Sequence, residues 1–368
     1  MVNQASSSTI VQRIICKNFR CFSHLDLDLD APLILCEEVN GSGKTSLLEA
    51  LYYAAHLHSF RTHIPTEIAS FGSEGFSIKV TLCENDGQNR IPRELHVGFV
   101  QGKRLVRIDQ QKISAYREIT QCYRATSITE DDLIIITGPP EERRHFLDNA
   151  LALYDYEHRA LMHMLKQTVM QRNALITQEK FDIDLYLIWS RKLVEISQKI
   201  QDARIALIEH FEHHIRSVIE EYFPQYVAAL SYQYKQLLPA NHFNTIHTCK
   251  SLFESELRMG RSLFGAHLDD FVVTLNDKKS RKFSSRGQQK LMVVLLKLAH
   301  MQQLTKQHGG VLILLDDFVT DLDEVTSRYL VDKLVQSGNQ LIFTVPTNGS
   351  FLSRYIKERG ARCIKITR

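Results

Sequence analysis

A short glycine-rich stretch between a strand pattern and a helix pattern constrains this chain most. Residues 32–36 form an apolar run that predicts a strand, and residues 46–58 predict a helix. The stretch that joins them is Asn40, Gly41, Ser42, Gly43, Lys44 and Thr45. Small residues and consecutive backbone N–H groups at a helix N-terminus can hold phosphate oxygens. The order of strand, glycine loop and helix therefore predicts an α/β fold with a phosphate-binding loop.

Two side chains of this loop have expected roles, and one residue departs from the usual motif. Lys44 should reach the β- and γ-phosphates of a nucleotide, and Thr45 should place its hydroxyl on Mg²⁺. Glu38 occupies the position of the first glycine in the pattern G-x-x-x-x-G-K-[S/T]. Its carboxylate should repel a triphosphate, and its backbone is strained if the position needs a positive φ. Alone, the stretch could be an ordinary turn before a helix.

A second apolar run, residues 311–315, ends in two carboxylates, Asp316 and Asp317. This is the form of a Walker B element, in which Asp316 would hold Mg²⁺ and Asp317 would act as general base on the attacking water. Alone, the pair could be a solvated strand end. Together with the glycine loop, it predicts ATP as the ligand.

A third element begins a predicted helix about thirty residues before the acidic pair. Residues 284–289 read Ser-Ser-Arg-Gly-Gln-Gln and resemble the ABC signature loop, which in ABC-type ATPases caps the γ-phosphate bound by the partner subunit. Ser285, Gly287 and Gln288 are the candidates for this contact. The simpler interpretation of the serine is a helix N-cap.

Two further positions fit the same order. Asp323 follows the acidic pair at the spacing of the ABC D-loop, and Thr344 ends the predicted strand 340–344 where that fold carries a switch histidine. Four elements in the expected order predict an ABC-type P-loop ATPase head, an α/β fold built on a mixed sheet with flanking helices. The threonine disfavours the transporter subfamily, which usually keeps the histidine.

The rest of the pattern predicts two lobes. Apolar positions three and four residues apart between Leu185 and Leu207, and a helical pattern over residues 146–175, predict a helical second lobe over residues 141–224. Strand patterns before and after it predict one discontinuous ATPase lobe from residues 1–140 and 225–368.

Composition excludes several classes of protein. The 45 basic and 42 acidic residues give a net charge of only +3, so charge alone does not argue for nucleic acid. The scattered cysteines form no zinc or disulfide pattern, and no apolar run is long enough to cross a bilayer. A cytoplasmic protein without a membrane partner is expected.

Several further motifs resemble the RecF family of ABC/SMC-like ATPases over nearly the whole chain. They are the segments 18–20 (Asn-Phe-Arg), 48–50 (Leu-Glu-Ala), 59–62 (Ser-Phe-Arg-Thr), 138–148, 171–173 (Gln-Arg-Asn) and 265–270 (Gly-Ala-His-Leu-Asp-Asp). Ala266 and Leu268 depart from the proline and arginine of the family pattern. The resemblance implies a homodimer that forms on ATP, binds double-stranded DNA near gap junctions, hydrolyses ATP slowly and helps the mediator proteins of the RecF pathway to load recombinase at the nucleoid.

Three arginines in these motifs have open roles. Related ATPases suggest that Arg61 reaches the nucleotide, although it could be a surface charge. Arg143 and Arg144 could contact DNA or the other lobe, or be solvated charges in the first turn of a helix.

Two other functions stay open from the sequence. The first is a non-catalytic DNA-binding scaffold in which Glu38 has weakened ATP binding and the dimer is constitutive. The second is another SMC-like ATPase, such as a nuclease-associated one, although no separate metal-binding domain follows the acidic pair. Whether the chain hydrolyses ATP is thus undecided at this point.

Overall fold

The chain forms both strands and helices, and the computed structural model describes residues 8–39, 41–62, 64–85, 90–113, 116–178, 181–318, 321–346 and 351–366. The strands are Ser8–Phe19 (β1), Phe22–Asp28 (β2), Leu33–Glu38 (β3), Gly75–Asn85 (β4), Arg90–Val100 (β5), Lys103–Ile108 (β6), Gln111–Lys112 (β7), Ala125–Ile128 (β8), Ala228–Gln233 (β9), Asp270–Leu275 (β10), Lys278–Lys279 (β11), Leu312–Asp316 (β12), Gln340–Pro346 (β13) and Arg362–Ile364 (β14). The α-helices are Lys44–His56 (α1), Tyr116–Cys122 (α2), Ile134–Thr137 (α3), Pro140–Tyr154 (α4), Tyr156–Ile176 (α5), Ile183–Tyr222 (α6), Lys250–Met259 (α7), Ser280–Phe283 (α8), Arg286–His308 (α9), Glu324–Gln336 (α10) and Phe351–Glu358 (α11). None of the helices in these ranges combines the length and the apolar character needed to cross a membrane.

The chain divides into two units, Met1–Asp132 with His300–Arg368, and Leu133–Ala299. The first unit contains a five-stranded sheet of order β14-β3-β13-β12-β8, whose described pairings are all parallel. Strands β12 and β13 are buried along nearly their whole length, as strands of a parallel sheet covered on both faces are. This burial explains the continuous apolar runs in the sequence.

The second sheet of the first unit has the order β2-β1-β4-β5-β6-β7 and is antiparallel. Helix α1 packs against strands of both sheets, and its residues share one hydrophobic core with them. Ten of its thirteen residues are buried, so the helix is covered on nearly all sides rather than along one stripe. The predicted α/β class is observed.

The second unit is built around α6, a helix of 40 residues that is roughly 60 Å long at 1.5 Å per residue. Helices α4 and α5 pack against it, and so does β9 of the three-stranded sheet β11-β10-β9. Its interior holds two arginines. Arg172 is bound by Glu256, and Arg204 is bound by Asp148.

The two units have different bounds from the two predicted lobes. Residues 225–299, assigned by the sequence to the ATPase lobe, lie in the second unit because β9 and β10 pair with each other and pack on α6 and α4. The single helical pattern over residues 146–175 is two helices, since Asp155 ends α4 and accepts a hydrogen bond from the backbone N–H of Glu157 at the start of α5.

Candidate nucleotide site

The site lies at the carboxyl edge of the parallel sheet. In the register of the strands, Asp316 at the end of β12 is opposite Thr344 in β13, and Thr344 is opposite Cys36 in β3. The glycine loop follows β3 at this same edge and leads into α1. Ligands of open α/β sheets bind outside the carboxyl ends of the strands, so the topology brings the separate sequence motifs to one place.

Two glycines give the loop its shape. Gly41 has φ of 84° and Gly43 has φ of 106°, a region that favours glycine. A Cβ atom on Gly43 would lie 2.7 Å from Phe22 and 2.9 Å from the sulfur of Cys21, so this position has no room for a side chain. Gly43 is also the N-cap of α1. Asn40, another predicted residue of the loop, lies outside the described residues.

The Glu38 backbone is not strained. Glu38 is the last residue of β3, it is opposite Pro346 in the parallel ladder, and it is absent from the residues with positive φ. Its carbonyl oxygen accepts a hydrogen bond from Lys44 Nζ at 2.5 Å, and the Val39 carbonyl accepts another at 2.9 Å. The expectation of backbone strain at this position is therefore wrong. The Lys44 side chain thus binds the carbonyl oxygens of its own loop, whereas its expected role is to bind phosphates.

Asp316 is held by two hydroxyl groups. Thr45 Oγ1 donates to Asp316 Oδ2 at 2.8 Å, and Thr344 Oγ1 donates to Asp316 Oδ1 at 2.5 Å. Hydroxyl and carboxylate oxygens are hard ligands of the kind that Mg²⁺ uses together with nucleotide phosphates, so Thr45 and Asp316 fit this ion. Thr344, at the position of the switch histidine, orients the carboxylate of the acidic strand end.

Asp317 has an unusual backbone. Its φ is 46°, in a region that non-glycine residues seldom adopt, and its N–H donates to the Thr344 carbonyl at 3.3 Å. Such conformations cluster at functional sites, where the surrounding structure holds them. Both Asp316 and Asp317 line the same cavity.

Arg61 lies beside this cavity and is positioned by a buried carboxylate. Glu49 of α1, which is fully buried, accepts hydrogen bonds from Arg20 at 2.5 and 2.9 Å and from Ser59 at 2.5 Å. The Arg61 guanidinium lies 3.5 Å from the same carboxylate and is 43% exposed. The motifs at 18–20, 48–50 and 59–62 thus converge on Glu49, which explains their joint occurrence.

The cavity encloses about 520 Å³ and contains residues that the sequence did not single out. The predicted members of its lining are Gly41, Gly43, Lys44, Thr45, Arg61, Asp316, Asp317 and Thr344. The additional members include Cys21, Thr129, Glu130 and Asp131. Thr129, Glu130 and Asp131 follow β8, the neighbour of β12, so only the strand order could have indicated them. Glu38 is not among the described residues that line this cavity.

The signature-like residues lie in the second unit and form a helix cap. Ser285 precedes α9, its N–H donates to Gln288 Oε1 at 2.9 Å, and the Gln288 N–H donates to Ser285 Oγ at 3.3 Å. This reciprocal pair is a capping box. Ser285 is exposed and Gly287 half-buried, so the beginning of α9 stays accessible while the cap is formed.

Asp323 caps α10. Its two carboxylate oxygens accept from the N–H of Thr326 at 2.9 Å and from the Thr326 hydroxyl at 2.7 Å. These bonds lower the pKa of the Asp323 carboxyl below its usual value. The D-loop candidate is therefore also the residue that starts the following helix.

Arg143 and Arg144 are engaged within the second unit. Arg143 is buried and donates to both oxygens of Asp270 at 2.7 and 3.0 Å and to the Gly138 carbonyl. Arg144 donates to the Asp269 carbonyl at 2.6 Å. The interpretation of Arg143 as a solvated charge is wrong, because the side chain connects α4 to the start of β10.

The sequence of this chain is similar to that of known protein families and their members. The model of the RecF/RecN/SMC N-terminal domain matches residues 10–359. DNA replication and repair protein RecF of Chlorobaculum tepidum is 29% identical over 340 residues, which cover 88% of this chain and 91% of that protein. The RecF protein of Glaesserella parasuis is 28% identical over 349 residues, which cover 92% of each chain.

Solved structures agree with the fold. A structure of the recombination mediator protein RecF with ATP, in the RecFOR pathway, superposes with a TM-score of 0.81 at 23% identity and covers 98% of both chains. The Smc head domain of Pyrococcus furiosus gives a TM-score of 0.55 at 14% identity and covers 97% of this chain and 93% of that one. The predicted ABC-type P-loop fold is confirmed by these likenesses.

Proposed function

Because this chain belongs to the RecF/RecN/SMC N-terminal domain family, we propose that it is a RecF-type ATPase of DNA repair that binds ATP together with Mg²⁺. The observation that carries the proposal is the contact of Thr45 with Asp316 in a cavity that Asp317 and Lys44 also line. The RecF relatives are named for DNA replication and repair, and one is solved with ATP.

The proposed chemistry assigns one task to each side chain. Lys44 would exchange the carbonyl oxygens of the loop for the β- and γ-phosphate oxygens, which carry full negative charge. Thr45 and Asp316 would hold Mg²⁺, which supplies charge neutralisation at the phosphates. Asp317 would accept a proton from the attacking water, and Arg61, held by Glu49, would face the nucleotide from the other side of the cavity.

We further infer that two copies associate when ATP is bound. The capped beginning of α9, with exposed Ser285 and accessible Gly287 and Gln288, offers backbone N–H groups and small side chains to a phosphate of a second copy. Exposed apolar side chains adjoin each nucleotide element: Val39 beside the glycine loop, Phe283 before the signature-like residues and Val325 after Asp323. A copy that contributes to its partner's site would couple association to the nucleotide state.

DNA is the proposed second ligand. We expect double-stranded DNA to bind through Lys and Arg on phosphates, with preference for gap junctions, and the bound protein to assist other mediator proteins of the RecF pathway in recombinase loading at the nucleoid. Equal affinity for a gapped and a continuous duplex of the same length would remove the gap preference from this proposal.

Two substitutions test the ATPase assignment. Lys44→Met should abolish the binding of a fluorescent ATP analogue, because the loop loses its only cation toward the phosphates. Asp317→Asn should bind the analogue normally but slow hydrolysis by at least a hundredfold, the scale of a lost general base. Phosphate release by Asp317→Asn at the rate of the unchanged protein would contradict the general-base role. A protein that binds no nucleotide at all would point to the scaffold function instead.

A further inference from the structure

The second unit carries a run of cations that the proposed nucleotide chemistry does not use. Lys278, Lys279, Arg281 and Lys282 fill four of five successive positions, and all four are exposed. We call residues 278–282 the basic segment. Among the described residues, no carboxylate forms an ion pair with any of these four side chains. In a chain whose net charge is only +3, this concentration of positive charge is local.

The basic segment is held in place by its surroundings. Strand β11 pairs with β10 through a two-residue turn in which Asn276 and Asp277 have φ of 50° and 60°, the conformation of a tight hairpin. Ser280 Oγ donates to Ser284 Oγ at 3.0 Å, and Gln289 Nε2 donates to the Ser280 carbonyl at 3.1 Å. A ligand that binds these cations therefore does not have to order their backbone, which lowers the entropic cost of binding.

Three of the cations also surround a hollow. Lys279, Arg281 and Lys282 line a cavity of about 160 Å³ together with Arg143, and its remaining wall includes apolar side chains such as Phe271. The charge of Arg143 is already balanced by Asp270. The other three cations are not balanced in this way, so the hollow has an excess of positive charge and room for a phosphate group.

We propose that the basic segment binds the phosphate backbone of double-stranded DNA. This inference rests on the proposed DNA binding and assigns it a location. Successive cations on a fixed hairpin suit a polyanion with regularly spaced charges better than a single small anion, and phosphate contacts of this kind do not read sequence. The segment ends three residues before Ser285, so DNA would be bound next to the residues proposed to complete the partner's nucleotide site.

The test removes charge from the basic segment without shortening its side chains to alanine. The triple variant Lys279→Gln, Arg281→Gln, Lys282→Gln is titrated with a labelled blunt duplex, with ATP and Mg²⁺ present, at several salt concentrations. Each lost phosphate contact lowers the slope of log affinity against log salt by about 0.9, so the slope should fall by about 2 to 3. The affinity in dilute salt should fall on the order of a hundredfold.

A matched control removes three charges elsewhere in the same unit. Lys166, Lys199 and Lys250 are exposed, and their triple replacement by Gln should leave the salt slope within about 0.5 of the original. Light scattering with ATP and Mg²⁺ should give both variants the mass of the unchanged protein.

The location would be overturned by an unchanged slope of log affinity against log salt in the basic-segment variant, or by an equal loss of DNA affinity in the control. It would also be overturned if the basic-segment variant lost ATP-dependent association together with DNA affinity. That result would assign the cations to the partner's nucleotide. Failure of the unchanged protein to bind the duplex would instead overturn the proposed DNA function itself.

Discussion

Gly43 and Glu38 belong to the same loop region, yet only Gly43 has a backbone that requires glycine. Gly43 combines φ of 106° with contacts that exclude a Cβ atom, whereas Glu38 ends a regular strand with an ordinary backbone. From the sequence, both positions belong to one motif and a departure at either looks equally harmful. The difference between them depends on φ and on neighbouring side chains, which are properties of the folded chain.

Replacement of Glu38, the residue that departs from the motif, should therefore have little effect on nucleotide binding. In Glu38→Gly we expect the affinity for ATP, measured by isothermal titration, to stay within about threefold of the original, because the Glu38 carboxylate does not line the described cavity. We expect the free energy of unfolding to fall by about 0.5–1 kcal/mol, the usual cost of glycine in a strand. A tenfold gain in ATP affinity would show that the carboxylate does repel the triphosphate.

At the scale of elements, both helix starts proposed to act in the dimer are also caps. Ser285 and Gln288 cap α9, and Asp323 caps α10. A cap satisfies backbone N–H groups that the helix itself leaves unpaired, so these residues have a structural role even without a nucleotide. A substitution that removes the side chain changes both roles at once, and the design of variants must separate them.

The cap role of Asp323 can be measured by itself. We expect Asp323→Ala to lower the free energy of unfolding by about 1 kcal/mol at pH 7 and Asp323→Asn by only a few tenths, because asparagine is an equally good N-cap. The pKa of Asp323 is lowered in the folded protein. Its charged form therefore adds stability above the unfolded value near 4, and this contribution is lost as the pH falls through the folded pKa.

Urea unfolding of the three proteins at several pH values checks this expectation. The difference between Asp323 and Ala should shrink below about pH 4. If the difference were constant down to pH 2.5, the charged carboxylate would not be the stabilising form. A loss of ATP turnover in Asp323→Asn, at unchanged stability, would assign the residue a D-loop role beyond the cap.

The sequence predicted the elements around the glycine loop well, and it divided the chain at other residues than the two units do. Apolar runs and the glycine loop identified β3, α1, β12 and β13 within about two residues, because parallel strands and their helices leave strong local patterns. The boundary at residue 225 depends on pairing between β9 and β10, which lie about forty residues apart. No local pattern indicates a partner at that distance, so residues 225–299 were assigned to the other unit.

At the scale of the whole molecule, the family-like motifs serve two different purposes. In the first unit they converge on buried Glu49 and position Arg61 beside the cavity. In the second unit they are structural: Arg172 donates to Glu256, Ser190 and Ser262, all buried, and the N–H of Ala266 donates to Ser197 Oγ. A proline at position 266 has no N–H for that bond. Motifs alone do not separate the two purposes, since burial decides which residues can reach a ligand.

The exposed apolar side chains beside the nucleotide elements give the proposed association a test. We expect Phe283→Asp and Val325→Asp each to reduce ATP-dependent dimerisation by at least tenfold, because a carboxylate would have to be desolvated in the interface. The measurement is the mass of each variant by light scattering, with ATP and Mg²⁺, in an Asp317→Asn background. In that background ATP hydrolysis should not dissociate the dimer. Phe71, whose side chain is fully exposed and which belongs to none of the nucleotide motifs, provides the matched control Phe71→Asp. An equal loss in the control, or none in the other two, would mean that the copies meet elsewhere on the surface.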